Sequence, residues 1–158
     1  HNVPDIELIA RRAVWAGVNA LTICNTIPAM SIDIETRKPV LGNILGGLSG
    51  HSLRPISLAL VYKAAKILKE EICKKRGQSK ALGEDEEIHK RIPILGVGGI
   101  FNYKHVIEYF LAEASAVQIG SANLVNLHTP FNILDDLEDY LEENNIENIQ
   151  SLNNYLII

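Results

Sequence analysis

The sequence predicts an α/β fold in which a parallel sheet is covered by helices. Three observations predict it. Short apolar runs rich in β-branched residues recur at residues 20–26, 92–95 and 115–122, each apolar throughout, as strands buried on both faces are. Segments of helical period flank and separate them. Each run also ends in residues suited to a turn or a ligand: Asn25-Thr26, Gly98-Gly99 and Gly120-Ser121.

The elements follow in order. Asn2 is expected to cap a first helix, with Pro4 and Asp5 in its first turn; Ile6, Ile9, Ala10, Ala13 and Val14 repeat at helical spacing and Gly17 stops it. "ALTICNT" reads as a buried strand. Residues 27–53 form an excursion rich in Gly, Ser and Pro, longer than ordinary βα loops; loops of that length are functional or disordered. Pro55 suits the first turn of a second helix, whose buried face is expected along Ile56, Ala59, Leu60, Ala64, Ile67 and Leu68. The polar stretch 74–90, basic first and acidic later, is expected to be an exposed connector or insertion. The strand "RIPIL" then breaks into Gly96, Gly98 and Gly99, and Asn102 caps a third helix buried along Val106, Ile107, Phe110, Leu111 and Ala114. "SAVQIGSA" is the third strand. Thr129-Pro130 opens a last helix with Ile133, Leu134, Leu137 and Leu141 on one side and a solvated acidic face on the other. The inner face of the sheet is expected to carry Leu21, Ile23, Ile94, Val117 and Ile119. Three strands are under half of an eight-stranded barrel of about 250 residues. The chain is therefore a small open α/β domain or a piece of something larger.

Composition narrows the classes. With 158 residues, 47% hydrophobic and 22% charged, the chain can build one packed core. No apolar run reaches the ~20 residues of a membrane helix. The N-terminus lacks a basic stretch followed by an apolar core, so no secretory signal is expected, and it starts with His in place of Met. A net charge of −4 with scattered basic residues argues against nucleic acid. Cys24 and Cys73 read as reduced thiols of a cytoplasmic protein. No metal-ligand spacing is present, so no metal is expected.

In parallel α/β proteins ligands sit at the C-terminal ends of strands. Backbone N–H groups freed at a glycine turn before a helix make a phosphate site. Gly98-Gly99 alone reads as a tight turn. Paired with Gly120-Ser121 on the next strand, it reads as a phosphate cradle, because the last two strands of barrels frequently hold a phosphate this way. A Gly99→Val substitution is accordingly expected to fill the phosphate space. Asn25 is either a strand-end cap or a ligand contact. Cys24 reads as a small buried hydrophobe without an activating cation in sequence. His51 reads as an exposed loop residue and takes no role.

The segment "NTIPAMSIDIETRKPVLGNILGGLSGHSLRPISLALVYKAAK" resembles the dihydroorotate dehydrogenases, and "IPILGVGGI" and "ASAVQIGSANLV" follow at the family's spacing. The resemblance runs from about Asn2 to Ser151, and "AMSIDIETRKPVLGN" is most similar to the class 1B branch. It implies an enzyme, an FMN-dependent oxidoreductase of pyrimidine biosynthesis that oxidises dihydroorotate to orotate, and a (β/α)8 TIM barrel. Of that barrel, residues 1–158 would be a single partial domain, the C-terminal part, with about three strands and four main helices. Asn25 and Thr26 match residues that hydrogen-bond orotate. Cys24 and Gly50 match contacts to FMN, and Gly98, Gly99, Gly120 and Ser121 match its phosphate cradle, with Ser121 where Thr is usual. The family's catalytic base and a flavin-contacting Lys match nothing here, so no catalytic residue is assigned and the isolated chain is expected to be inactive. Exposing its inner face, it is also expected to be aggregated, molten or oligomeric when alone and not to hold FMN tightly. The resemblance further implies a cytoplasmic homo-oligomer and an electron-transfer subunit carrying FAD and an iron–sulfur cluster. The alternatives are a phosphate-binding barrel isomerase or cyclase of amino-acid biosynthesis, and a non-catalytic FMN-binding half-barrel.

Overall fold

The computed structural model describes residues 5–82 and 91–157. Helix α1, Ile6–Trp15, starts where Asp5 accepts a hydrogen bond from the Leu8 N–H at 3.0 Å. Asp5 is thus the cap, not a first-turn residue; the expected cap Asn2 lies outside the described residues. Strand β1, Leu21–Ile23, follows. The glycine-rich excursion then folds into two small antiparallel ribbons: β2, Ile27–Ala29, pairs with β5, Gly46–Leu48, and β3, Ile32–Asp33, pairs with β4, Lys38–Pro39. The Asp33 carboxylate accepts from the N–H groups of Glu35 and Thr36 at 2.9 and 3.0 Å, which closes the outer ribbon. A 3-10 turn, His51–Leu53, leads into α2, Arg54–Leu82.

Helix α2 is longer than expected. It continues through the first part of the stretch read as a connector, because Lys, Arg, Gln, Ala and Leu there favour helix and one glycine costs only about 1 kcal/mol. Residues 83–90 lie outside the described residues. Strand β6, Ile94–Val97, leads through the glycine turn to α3, Tyr103–Leu111, capped as expected by Asn102, which accepts from the His105 N–H at 3.1 Å. Strand β7, Ala116–Gln118, gives way to a one-turn helix α4, Ala122–Val125, absent from the sequence reading, and then to α5, Thr129–Glu143.

The three main strands form one parallel sheet in the order β1-β6-β7, with Ile23 beside Gly96 and Gly96 beside Val117. Helices cover one face. Ile23 and Ile94 pack there with Val61, Ala64, Ile67 and Leu68 of α2 and with Ile107, Tyr109 and Phe110 of α3. Leu21, Val117 and Ile119 join this layer. The residues expected on an inner face are therefore the ones beneath the helices. A strand apolar on both sides does not tell which side the helices take. The opposite face carries Thr22, Leu95, Val97, Ala116 and Gln118, of which Thr22, Ala116 and Gln118 are exposed.

The helix faces also shift from the periodicity reading. On α2, Ile56 and Ala59 are exposed while Ser57 and Val61 are fully buried. On α1 and α5, Ile9 and Leu134 stay exposed. Tyr109, outside the expected stripe of α3, is wholly buried.

Candidate functional site

The C-terminal ends of the three parallel strands open onto one cleft of about 320 Å³. Cys24, Asn25, Thr26, Gly50, Gly98, Gly99, Gly120 and Ser121, dispersed over 98 positions of sequence, all line it. Parallel pairing explains the convergence, since it puts the ends of β1, β6 and β7 at one edge of the sheet.

Each segment is fixed by local contacts. The Cys24 N–H donates to the Val97 carbonyl at 3.2 Å, tying the end of β1 to the end of β6. Asn25 Oδ1 accepts from the Thr26 N–H at 2.7 Å and from the Thr26 hydroxyl at 3.4 Å, which leaves the Asn25 amide NH₂ as the donor end of that side chain. Gly47 on β5 is required here, for a Cβ on it would collide with Thr26 Oγ1. Gly50, at φ +84°, precedes the 3-10 turn, where the Leu53 N–H donates to its carbonyl at 3.0 Å.

The glycines after β6 serve distinct ends. Gly96 is bare because the Tyr109 ring packs against it. Gly98 and Gly99 adopt φ of +135° and +68°, a region that disfavours a side chain. A Cβ on Gly99 would lie 2.7 Å from Arg54 Cβ and 2.8 Å from the Gly50 carbonyl oxygen, so this turn is wedged against the start of α2. A side chain at Gly99 therefore points into protein and not into the cleft, contrary to the expectation for Gly99→Val. Gly120 differs: a Cβ there would meet nothing within 4 Å. The wall at Gly120-Ser121 is open backbone beside a hydroxyl.

The sequence reading missed Ser49, Leu53, Val97, Ile100, Gln118 and Leu124, which complete the lining. Gln118 carried a signal, being the polar residue inside an apolar strand run. No Asp, Glu, Lys, Arg or His lines the cleft among the described residues. An anion bound there would rely on neutral N–H and O–H donors. Arg54, behind Gly99, pairs instead with Glu108. His51 stacks on Phe101 with ring centroids 3.8 Å apart and stands edge-on to His105 at 5.6 Å. Cys24 and Cys73 are free thiols, Cys73 exposed. Among the described residues no helix is long and apolar enough to cross a membrane.

A family model described as dihydroorotate dehydrogenase matches residues 2–73 and 84–141. Two relatives, from Caldicellulosiruptor bescii and Brachyspira hyodysenteriae, are each called dihydroorotate dehydrogenase B (NAD(+)), catalytic subunit. Both are 40% identical over 151 residues, covering 96% of this chain and 43% of the relative. The chain thus spans less than half the length of these relatives. A crystal structure of DHODH in complex with ferulenol from Eimeria tenella superposes with a TM-score of 0.65 at 22% identity, over 93% of this chain and 33% of that one. That likeness is one of fold, and it makes the parallel sheet and its helices part of a (β/α)8 barrel.

Proposed function

The chain belongs to the dihydroorotate dehydrogenase family, and from that premise we propose that it is the C-terminal part of a class 1B-like catalytic polypeptide oxidising dihydroorotate to orotate with FMN. The observation that carries this is the single cleft lined by all eight residues that the family pattern singles out. Family membership sets aside the isomerase or cyclase alternative.

The residues present fit FMN. Gly120, with open space before its Cα, and the neighbouring Ser121 hydroxyl offer a backbone wall a phosphate can approach. Gly98 and Gly99 form the facing turn. These four residues would hold the phosphate, while Cys24 and Gly50 would lie along the flavin through their main chain. A cleft without charged lining among the described residues suits neutral donors to a phosphate, a mode that needs no side-chain cation. When bound, FMN supplies the hydride acceptor for C6 of dihydroorotate. Asn25 and Thr26 would orient the pyrimidine: with Asn25 Oδ1 engaged by Thr26, the Asn25 amide NH₂ is left to donate to a substrate carbonyl or carboxylate. That role is positioning. The general base for the C5 proton is assigned to the part of the polypeptide outside this chain.

Relatives are named catalytic subunits, which supports a partner subunit; by the family resemblance that partner would carry FAD and an iron–sulfur cluster and pass electrons to the acceptor. A cytoplasmic homo-oligomer belongs to the same reading, and so does residues 1–158 forming one partial domain with an insertion near 74–90. The complete polypeptide should purify yellow, release FMN on denaturation and be reduced by dihydroorotate. A colourless protein that neither rebinds FMN nor turns over dihydroorotate refutes the assignment; flavin binding without turnover leaves the non-catalytic half-barrel as the correct reading.

A further inference from the structure

Strand β6 separates two layers at its end. Gly96 faces the helices, because the ring of Tyr109 covers it, while Val97 on the opposite face lines the cleft. From the helix side two hydroxyls reach the strand terminus. Ser57 of α2 donates to the Val97 carbonyl at 2.6 Å, and Tyr109 of α3 donates to the Gly98 carbonyl at 2.7 Å. Both residues are 0% exposed, and the two hydroxyls are neighbours.

A trans peptide points its N–H and C=O in opposite directions. With the Gly98 carbonyl drawn into the helix layer, the Gly99 N–H on the same peptide is directed to the cleft side. The positive φ values of Gly98 and Gly99 allow that carbonyl to leave the strand plane. Two of the N–H groups toward α3 are taken internally: Phe101 donates to His105 Nδ1 and His105 donates to Asn102, each at 3.1 Å. The Gly99 N–H thus stays on the cleft side, next to that of cleft-lining Ile100, and the orientation of its peptide decides how good a donor it is.

We infer that Tyr109, backed by Ser57, is a positioning residue for anion binding, holding the Gly98–Gly99 peptide so that the Gly99 N–H faces the cleft. The inference rests on the reading of this turn as a phosphate site. Burial pushes the Tyr109 phenol up to about 12, so it keeps its proton as a donor at working pH. Tyr109→Phe removes the donor and keeps the ring that covers Gly96.

The test uses the complete polypeptide stripped of flavin and titrated with FMN and with riboflavin, which lacks the phosphate. Tyr109→Phe should weaken FMN binding roughly five- to tenfold, the worth of one well-placed hydrogen bond, and Ser57→Ala should weaken it in the same direction. Riboflavin affinity should hold in both. Equal losses for the two ligands, or no loss for either, overturn the inference and leave the hydroxyls as fold-stabilising groups only. Should Tyr109→Phe fail to fold, the FMN-to-riboflavin ratio of Ser57→Ala decides by the same criterion. Wild-type protein binding riboflavin as tightly as FMN would instead refute the phosphate reading itself, before any variant is made.

Discussion

Gly99→Ala adds one carbon at a position with no room for it. The new Cβ would sit 2.7 Å from Arg54 Cβ, 2.8 Å from the Gly50 carbonyl oxygen and 2.9 Å from the Arg54 nitrogen. Two of these atoms are backbone, so no side-chain rotation relieves the contact; the turn after β6 must move away from the start of α2. The residue must also keep φ near +68°. Holding a non-glycine residue in that region costs of order 1–3 kcal/mol, and overpacking adds about 1–3 kcal/mol. Together they predict a loss of about 2–6 kcal/mol, a large fraction of the ~5–15 kcal/mol typical of a folded protein. Urea unfolding of the flavin-free complete polypeptide measures it as a lower midpoint at unchanged slope. The loss should appear without ligand, since the collision lies on the Arg54 side of the turn. A flavin-free variant within about 0.5 kcal/mol of wild type, the range of ordinary surface changes, would refute the reasoning.

Gly120→Ala is the converse: nothing lies within 4 Å of its Cβ, so stability should stay within about 0.5 kcal/mol while FMN binding weakens; unaltered FMN affinity would move the phosphate elsewhere. Glu113, whose side chain is 9% exposed, accepts from the Asn154 N–H at 2.7 Å and pairs with Lys69 at 2.9 Å and Arg91 at 3.0 Å. Glu113→Ala should cost about 1–2 kcal/mol in urea unfolding, the two cations being too exposed for a buried pair's full worth, and should speed amide exchange at Asn154; an unchanged exchange rate there would show that the carboxylate does not hold the C-terminal segment. Burial, reinforced by Arg54 and His51 against an opposing Glu108, holds His105 below the usual imidazole range. Its folded pKa lies below the unfolded value near ~6.5, so its contribution is complete above that value and is lost as pH falls through the folded pKa. The melting temperature should therefore fall less steeply below pH ~6.5 in His105→Gln than in wild type, and equal slopes would refute it.

What could be read from the sequence was local. The Asn102 cap spans three residues, and its hydrogen bond to His105 is present. Asn25, Thr26, Gly98, Gly99, Gly120 and Ser121 were found because strand ends carry ligands in parallel α/β folds, Cys24 and Gly50 only through the family resemblance, and the structure brings all eight to one cleft. What could not be read depends on distant chain. The bonds from Tyr109 to Gly98 and from Ser57 to Val97 span 11 and 40 positions, and neither residue stands out in a periodicity pattern. The ribbons of the excursion have strands of two or three residues, too short for an alternating signal. The glycines show the same limit. Their clustering was visible, but not that Gly96 answers to a tyrosine ring, Gly99 to the start of α2 and Gly120 to open space.

The side of the sheet taken by the helices bears on what this chain can do by itself. Leu21, Ile23, Ile94, Val117 and Ile119 were expected to lack an opposite wall, yet they join the layer beneath α2 and α3. The main core therefore does not depend on further strands. The uncovered face is the more polar one, with exposed Thr22, Ala116 and Gln118 beside half-buried Leu95 and Val97. In a closed barrel that face is the interior, where side chains from alternate strands fill layers. The pairing order leaves β1 and β7 as the two edges, and unpaired edges invite association. Exposed Leu124, Val125, Leu127 and Phe131, just beyond β7, widen the same flank. Association of these residues alone would thus run through edges and flank, with the helix-covered core intact. The cleft lies at the end of that open sheet, so completing the barrel would leave the glycine turns that line it in place and add further walls around it.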